Sequence, residues 1–308
     1  MLLLALALVF CVGTGLSNAS ILTLKITNMT IKQVDYEPYL RPGAYRSKYN
    51  HTEKYVFCAS TLAKKHVVCT YLVSGFLDMP TLNLSAVNYS KFVEKIHTVV
   101  ELENGNLRVV ILPEMGRVYS IRYKPTGHDV LWRNDIAWPG GANNKLGWWL
   151  WIGGIEYTLP GEEHGYTWAL KWNWTVTEDS SSRKAISVSV IEPSTGLREE
   201  IVFSLTTQSV ALRSDVCIHN PTNKGTAFAH WTNVPFVPGG TNQVMDDTVL
   251  QIPTKSILIA DRWQQNLGKS PQEWPETALH AISGWKGMGD FMVCKVLKNK
   301  LDFVVCKD

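Results

Sequence analysis

Five side chains in this sequence have the types and spacing that proton transfer needs: Glu156, Glu162, Glu163, His164 and His230. Gly161-Glu162-Glu163-His164-Gly165 puts two carboxylates directly before an imidazole, between glycines that let backbone approach a ligand closely. Glu163 or Glu162 could serve there as a base with His164 as its partner; an ordinary solvated acidic turn is the alternative. His230 stands beside Trp231, just before a Pro-Gly-Gly turn, and is the best candidate for an acid, against a plain hydrogen-bonded core histidine. A histidine titrating near neutrality and a carboxylate are the pair that general acid–base chemistry uses. Glu156 follows Gly153-Gly154-Ile155 in an apolar setting, where a carboxylate needs a partner or a raised pKa. It is therefore a site residue, or one half of an ion pair with Arg117 or Arg133.

Tryptophan surrounds these groups. Eight of the chain's 12 tryptophans fall between Trp132 and Trp174, and the densest piece is Gly147-Trp148-Trp149-Leu150-Trp151. An indole face is a flat platform on which the C–H face of a sugar ring stacks, although burial alone explains many tryptophans. Trp148, Trp149, Trp151, Trp168, Trp231, Arg117 and Asn233 are the expected substrate-binding residues, for a mono- or oligosaccharide. Trp149 or Trp151, Glu156, His164 and His230 are expected to converge on one concave face. Glu156, His164 and His230 would suit Mn or Zn as ligand types, but no spacing demands it, and neither metal nor cofactor is expected. No G-x-S-x-G elbow and no phosphate loop occur. A net charge of +3, without a basic block, argues against nucleic acid.

The elements that must position these groups read as strands. Ile186-Ser187-Val188-Ser189-Val190 alternates apolar and polar; Glu200–Leu205, Val210–Val216, Leu107–Leu112 and Val118–Tyr123 are further strand runs. Gly, Pro, Asn and Asp punctuate them at the intervals of an all-β sandwich, with at most a short turn of helix between Pro271 and His280. A boundary is expected near residues 91–98.

The amino terminus, an apolar run to about Leu16 followed by Ser17-Asn18-Ala19, reads as a secretory leader and is shorter than a membrane span. Sequons at Asn28, Asn50, Asn83, Asn88 and Asn173 agree with secretion and N-linked glycans. Removing the leader leaves Cys58, Cys69, Cys217, Cys294 and Cys306. Cys58 and Cys69 could close a short loop, Cys294 and Cys306 could face each other on a hairpin, and Cys217 would remain unpaired; connectivity does not follow from sequence.

Glu101–Val118, ending in Pro113-Glu114-Met115-Gly116-Arg117, resembles the opening of the aldose 1-epimerase, or galactose mutarotase-like, superfamily. Tyr123–Trp132, with its Thr126-Gly127 reversal, resembles the turn that follows. Gly153–Pro160 with Glu163-His164-Gly165, Thr195–Ile201, Ile218-His219-Asn220-Pro221-Thr222 and His230–Pro235 resemble the later motifs of an uncharacterised mutarotase-like branch, in order, over residues 97–265. The resemblance implies an all-β galactose mutarotase-like β-supersandwich with a sugar-binding face. With the leader and the boundary near residues 91–98, the chain divides into a leader (1–19), a strand-rich glycosylated segment (20–96), either a small strand module or extra leading strands of the sandwich, and the mutarotase-like sandwich domain (97–308). The resemblance also implies His/Glu acid–base chemistry on a sugar or uronate, of epimerase or lyase type, with His230, His164, Glu156 and Glu163 as the candidate groups. Mutarotases place their glutamate base far downstream of the histidine, whereas this chain ends 78 residues after His230. Either the sequence is truncated or its closing strands differ, and the base cannot be carried over. The alternative is a non-catalytic, secreted glycan-binding or structural β-sandwich glycoprotein.

Overall fold

In a computed structural model the chain is all-β and sandwich-like. The structure describes residues 21–41, 81–141, 146–160, 164–193, 195–221 and 225–237. It also describes the backbone of the strands Leu3–Ala7, Ala44–Lys48, His51–Glu53, Cys69–Tyr71, Ser74–Asp78, Val249–Ile252, Ser256–Leu258, Trp285–Met288, Phe291–Lys295 and Val305–Lys307. The chain divides into two compact units, Met1–Pro235 and Phe236–Asp308.

The first unit holds a seven-stranded and a five-stranded sheet. The seven-stranded sheet runs in the spatial order His128–Asp129, Arg117–Tyr123, Leu107–Leu112, Phe92–Glu103, Thr23–Val34, Arg133–Gly141, Trp148–Gly153. Its neighbours are antiparallel except where Ala137 meets Gln33 in parallel register. The five-stranded sheet runs Leu3–Ala7, Arg213–His219, Arg198–Thr206, Arg183–Ile191, Asn173–Asp179, all antiparallel. Four of the five strand runs named from the sequence lie within observed strands, and the fifth, Val210–Val216, overlaps Arg213–His219, which starts three residues later. Alternation is the reason, since successive side chains take opposite faces of a sheet. Asn173–Asp179 shows it as a strict exchange of exposed and half-buried positions along an edge strand.

The boundary expected near residue 96 falls inside the strand Phe92–Glu103. That strand pairs with Thr23–Val34 without interruption from Thr23–Glu103 to Val34–Phe92, so residues 23–34 form part of the main sheet. Leu3–Ala7, within the stretch read as a leader, pairs with Arg213–His219. Cys294 and Cys306 do not share a hairpin: Phe291–Lys295 pairs with Val249–Ile252 and Trp285–Met288, whereas Val305–Lys307 pairs with Ser256–Leu258. Cys217 is a free, half-buried thiol. Cys58 and residues 271–280 lie outside the described residues.

Asn104 ties the two sheets at one end. It is fully buried; its Oδ1 accepts from Asn106 N and Leu107 N, and its Nδ2 donates to Thr206 O and Ser209 O. A buried amide with its acceptor and both donors engaged fixes a turn, because leaving any of them unmet would cost about 1–3 kcal/mol. At the other end of the strand Leu107–Leu112, Gly116 ends a 3-10 turn at φ +58°, and a Cβ there would stand 2.5 Å from the Trp172 ring. Only glycine gives both that backbone and that contact.

Candidate functional site

A short ribbon carries the site. Glu156–Thr158 pairs with Trp231–Asn233 in the register Glu156–Asn233, Tyr157–Thr232, Thr158–Trp231. It is placed against the seven-stranded sheet by an Ile155–Val118 bridge and by Gly154, at φ +74°, whose N–H donates to Trp132 O. Residues 156 and 158 project to one face of this ribbon, and 157 to the other.

On the first face four side chains meet. Glu156 is 2 % exposed, and its Oε2 accepts from Arg117 Nη2 at 2.5 Å and from Trp149 Nε1 at 2.7 Å. Its Oε1 lies 3.0 Å from His164 Nδ1. Burial pushes the Glu156 carboxyl upward, but Arg117, His164 and Trp149 outweigh it and hold the group below the usual carboxylate range. An ionised carboxylate only accepts, so Nδ1 of His164 carries the proton of that hydrogen bond. The imidazole also stacks on the Trp149 indole, with centroids 3.9 Å apart and planes 22° from parallel. His164 sits at φ +62°, a conformation that costs a non-glycine residue about 1–3 kcal/mol and persists only when its surroundings over-determine it. Thr158 Oγ1 supplies part of that constraint by donating to His164 O at 2.6 Å.

An aromatic path leads from this buried group to solvent. Trp151 meets Trp149 edge-on at 4.7 Å and lies parallel to Trp138 at 5.6 Å and 8°. Trp138 is 38 % exposed. Gly140 makes the stack possible, since a Cβ there would stand 2.5 Å from Trp151 Nε1. Trp138, one of the eight clustered tryptophans, is not among the expected substrate-binding residues. Its signal was available only in the pairing, because Trp138 lies opposite Trp151 across the hairpin.

The expected site residues therefore separate. Trp149, Trp151, Glu156 and His164 come together. Glu156 does not face a ligand, because both its oxygens are engaged; it orients His164. Arg117 is 2 % exposed and neutralises Glu156 while donating to Gly153 O at 2.7 Å, so it is no substrate-binding cation but the ion-pair partner anticipated for Glu156. Trp148 and Trp168 are core: they pack edge to face at 5.1 Å, with Tyr36 at 5.5 Å from Trp148. Trp231 and Asn233 are half-buried on the partner strand of the ribbon. Glu162 and Glu163 lie outside the described residues.

His230 does not join the first face. Its ring lies 6.3 Å from that of Tyr157, on the opposite face of the ribbon, and its Nε2 is 2.9 Å from Glu199 Oε1. Glu199 had escaped the sequence reading; Arg198-Glu199-Glu200 looks like any charged strand end. Burial raises the pKa of Tyr157, whose hydroxyl donates to Ser214 Oγ at 2.9 Å. Among the described residues no group of three or more His, Cys, Asp or Glu side chains could hold a metal ion, and no helix is long and apolar enough to cross a membrane.

Comparison with known proteins places this arrangement in a wider setting. A TPR-domain containing protein from Parabacteroides distasonis, known from its crystal structure, is similar in fold, with a TM-score of 0.54 at 17% sequence identity. The similarity covers 76% of this chain and 35% of that protein, so this chain corresponds to about a third of its length. Residues 80–287 match a family described as "Domain of unknown function (DUF5107)", and Arg117, Trp138, Trp149, Trp151, Glu156, His164, Glu199 and His230 all fall within that span. The chain belongs to the DUF5107 family.

Proposed function

We propose that this protein binds a mono- or oligosaccharide on the surface formed by Trp138 and Trp151. The observation that carries the proposal is the continuous aromatic path from exposed Trp138, through Trp151 and Trp149, to a carboxylate-oriented histidine. An aromatic floor with a few convergent polar groups is the usual composition of a small-ligand site. The resemblance of residues 97–265 to the mutarotase-like superfamily supports the same substrate class. Tryptophan fluorescence titration with a panel of neutral sugars and oligosaccharides tests it. Trp138→Ala removes one stacking face, worth about 0.5–1.5 kcal/mol, and weakens binding up to roughly tenfold. Absence of any fluorescence or calorimetric response across the panel would contradict the proposal.

A second reading, proton transfer to the bound sugar, is favoured by the Glu156–His164 hydrogen bond, because a fixed tautomer is what general acid–base catalysis requires. Anomer interconversion followed by NMR separates the two readings: acceleration that His164→Gln abolishes supports catalysis, and binding without acceleration supports recognition alone. Secretion as a glycoprotein belongs to the same proposal. Asn28, Asn88 and Asn173 are exposed on the fold and Asn83 is half-buried, while Asn50 lies outside the described residues. Expression in eukaryotic cells, followed by glycosidase treatment, should then increase the protein's electrophoretic mobility.

A further inference from the structure

The face of the ribbon opposite the tryptophan path carries a second histidine and carboxylate. Glu199 is fully buried on the strand Arg198–Thr206. Its Oε2 accepts from Thr167 Oγ1 at 3.1 Å, and the same hydroxyl accepts from Leu159 N at 3.0 Å, so its direction is fixed. Its Oε1 meets His230 Nε2 at 2.9 Å. Among the described residues Glu199 has no lysine or arginine partner, in contrast to Glu156 with Arg117. The His230 side chain is 10 % exposed. Its Nδ1 makes no hydrogen bond among the described residues.

We infer that Glu199 and His230 form a second acid–base centre, separate from the Glu156–His164 pair, with Glu199 the positioning residue and His230 Nδ1 the atom offered to a hydroxyl of a neutral, polyhydroxylated ligand. A carboxylate that accepts Nε2–H leaves Nδ1 as the free nitrogen, the reverse of His164, whose Nδ1 is engaged by Glu156. The two histidines are thus held in opposite tautomers. The ligand class follows from the surroundings. Tyr157, Thr167 and Leu159 add no charge, and the Glu199 carboxylate behind the ring disfavours an anion. A hydroxyl can donate to Nδ1 or accept from it, whichever state the ring holds. The inference goes beyond the carbohydrate reading and does not need the Trp138 surface.

The test uses full-length protein with ¹⁵N-labelled histidine rings. Long-range ¹H–¹⁵N spectra should show His230 protonated at Nε2 and His164 protonated at Nδ1. Glu199→Gln should release the His230 tautomer and leave His164 unchanged. Diethyl pyrocarbonate should then acylate His230, more slowly than exposed His128, and D-glucose, D-galactose or glycerol should slow it further at His230 but not at His128. A His230 protonated at Nδ1, a tautomer indifferent to Glu199→Gln, a His230 inert while His128 reacts, or no protection by any polyol would each overturn the inference. Trp138→Ala separates the two proposals. Sugar binding that depends on Trp138 without protection of His230 sinks the second centre alone; protection of His230 without any Trp138-dependent binding sinks the first reading alone.

Discussion

Arg117→Met should be among the most damaging single substitutions near the first site, and the reason can be worked through. Arg117 and Glu156 are each 2 % exposed and 2.5 Å apart. Removing one partner of a buried ion pair leaves the other charge uncompensated, at a cost of about 3–5 kcal/mol. The Gly153 carbonyl also loses its 2.7 Å bond from Arg117. We expect a loss of about 4 kcal/mol at neutral pH, a large share of the ~5–15 kcal/mol that stabilises a typical domain. The double variant Arg117→Met/Glu156→Gln should be more stable than Arg117→Met alone, because it removes the orphaned charge and keeps an acceptor for Trp149. The pH dependence has a definite sign. Glu156 sits below its ordinary value in the folded protein. Its contribution is therefore complete above the unfolded carboxylate's pKa and disappears as pH falls through the lower, folded value. Without Arg117, burial is less strongly opposed and the Glu156 pKa rises. Acid then neutralises the orphaned charge, and the gap between variant and wild type narrows from pH 7 towards pH 4. Urea unfolding at both pH values, extrapolated linearly, measures this. A loss below about 1 kcal/mol at neutral pH, the size of an exposed pair, or a gap that widens in acid, would refute the reasoning.

Two further substitutions probe the scaffold. Gly154→Ala forces a Cβ onto Val118 O at a backbone φ of +74°, and should cost more than the ~1–2 kcal/mol of a left-handed residue alone, read as a lower urea midpoint. Tyr157→Phe removes the hydrogen bond to Ser214 Oγ inside the sandwich and should cost about 1 kcal/mol, plus the penalty of an unmet hydroxyl that Ser214→Ala would relieve in a double-mutant cycle.

The strands were legible because alternation and turn residues are local signals. Ile186–Val190 could be placed from its own five residues, and it lies within Arg183–Ile191. The partnership of Thr23–Val34 with Phe92–Glu103 was not, since nothing local in either strand specifies a partner about seventy residues away. The same distinction governs the site. Trp149, Trp151, Glu156 and His164 are close in sequence, and they meet. Arg117 carried two expected roles, substrate-binding cation and ion-pair partner of Glu156; the fold keeps the second and excludes the first, because the guanidinium is sealed against the carboxylate. His230 was assigned to the wrong face: the ribbon register, one residue either way, decides the face, and that register follows from pairing with Glu156–Thr158. Glu199 and Trp138 were missed because each acquires meaning only from a neighbour on another strand.

The most direct test of the central proposal is a crystal structure of the protein with a sugar selected by the fluorescence titration. A pyranose ring should pack against the exposed face of Trp138 or the edge of Trp151, with density that disappears in Trp138→Ala crystals grown in the same way. A sugar seated elsewhere with these indoles bare, or unchanged occupancy in Trp138→Ala, would contradict it.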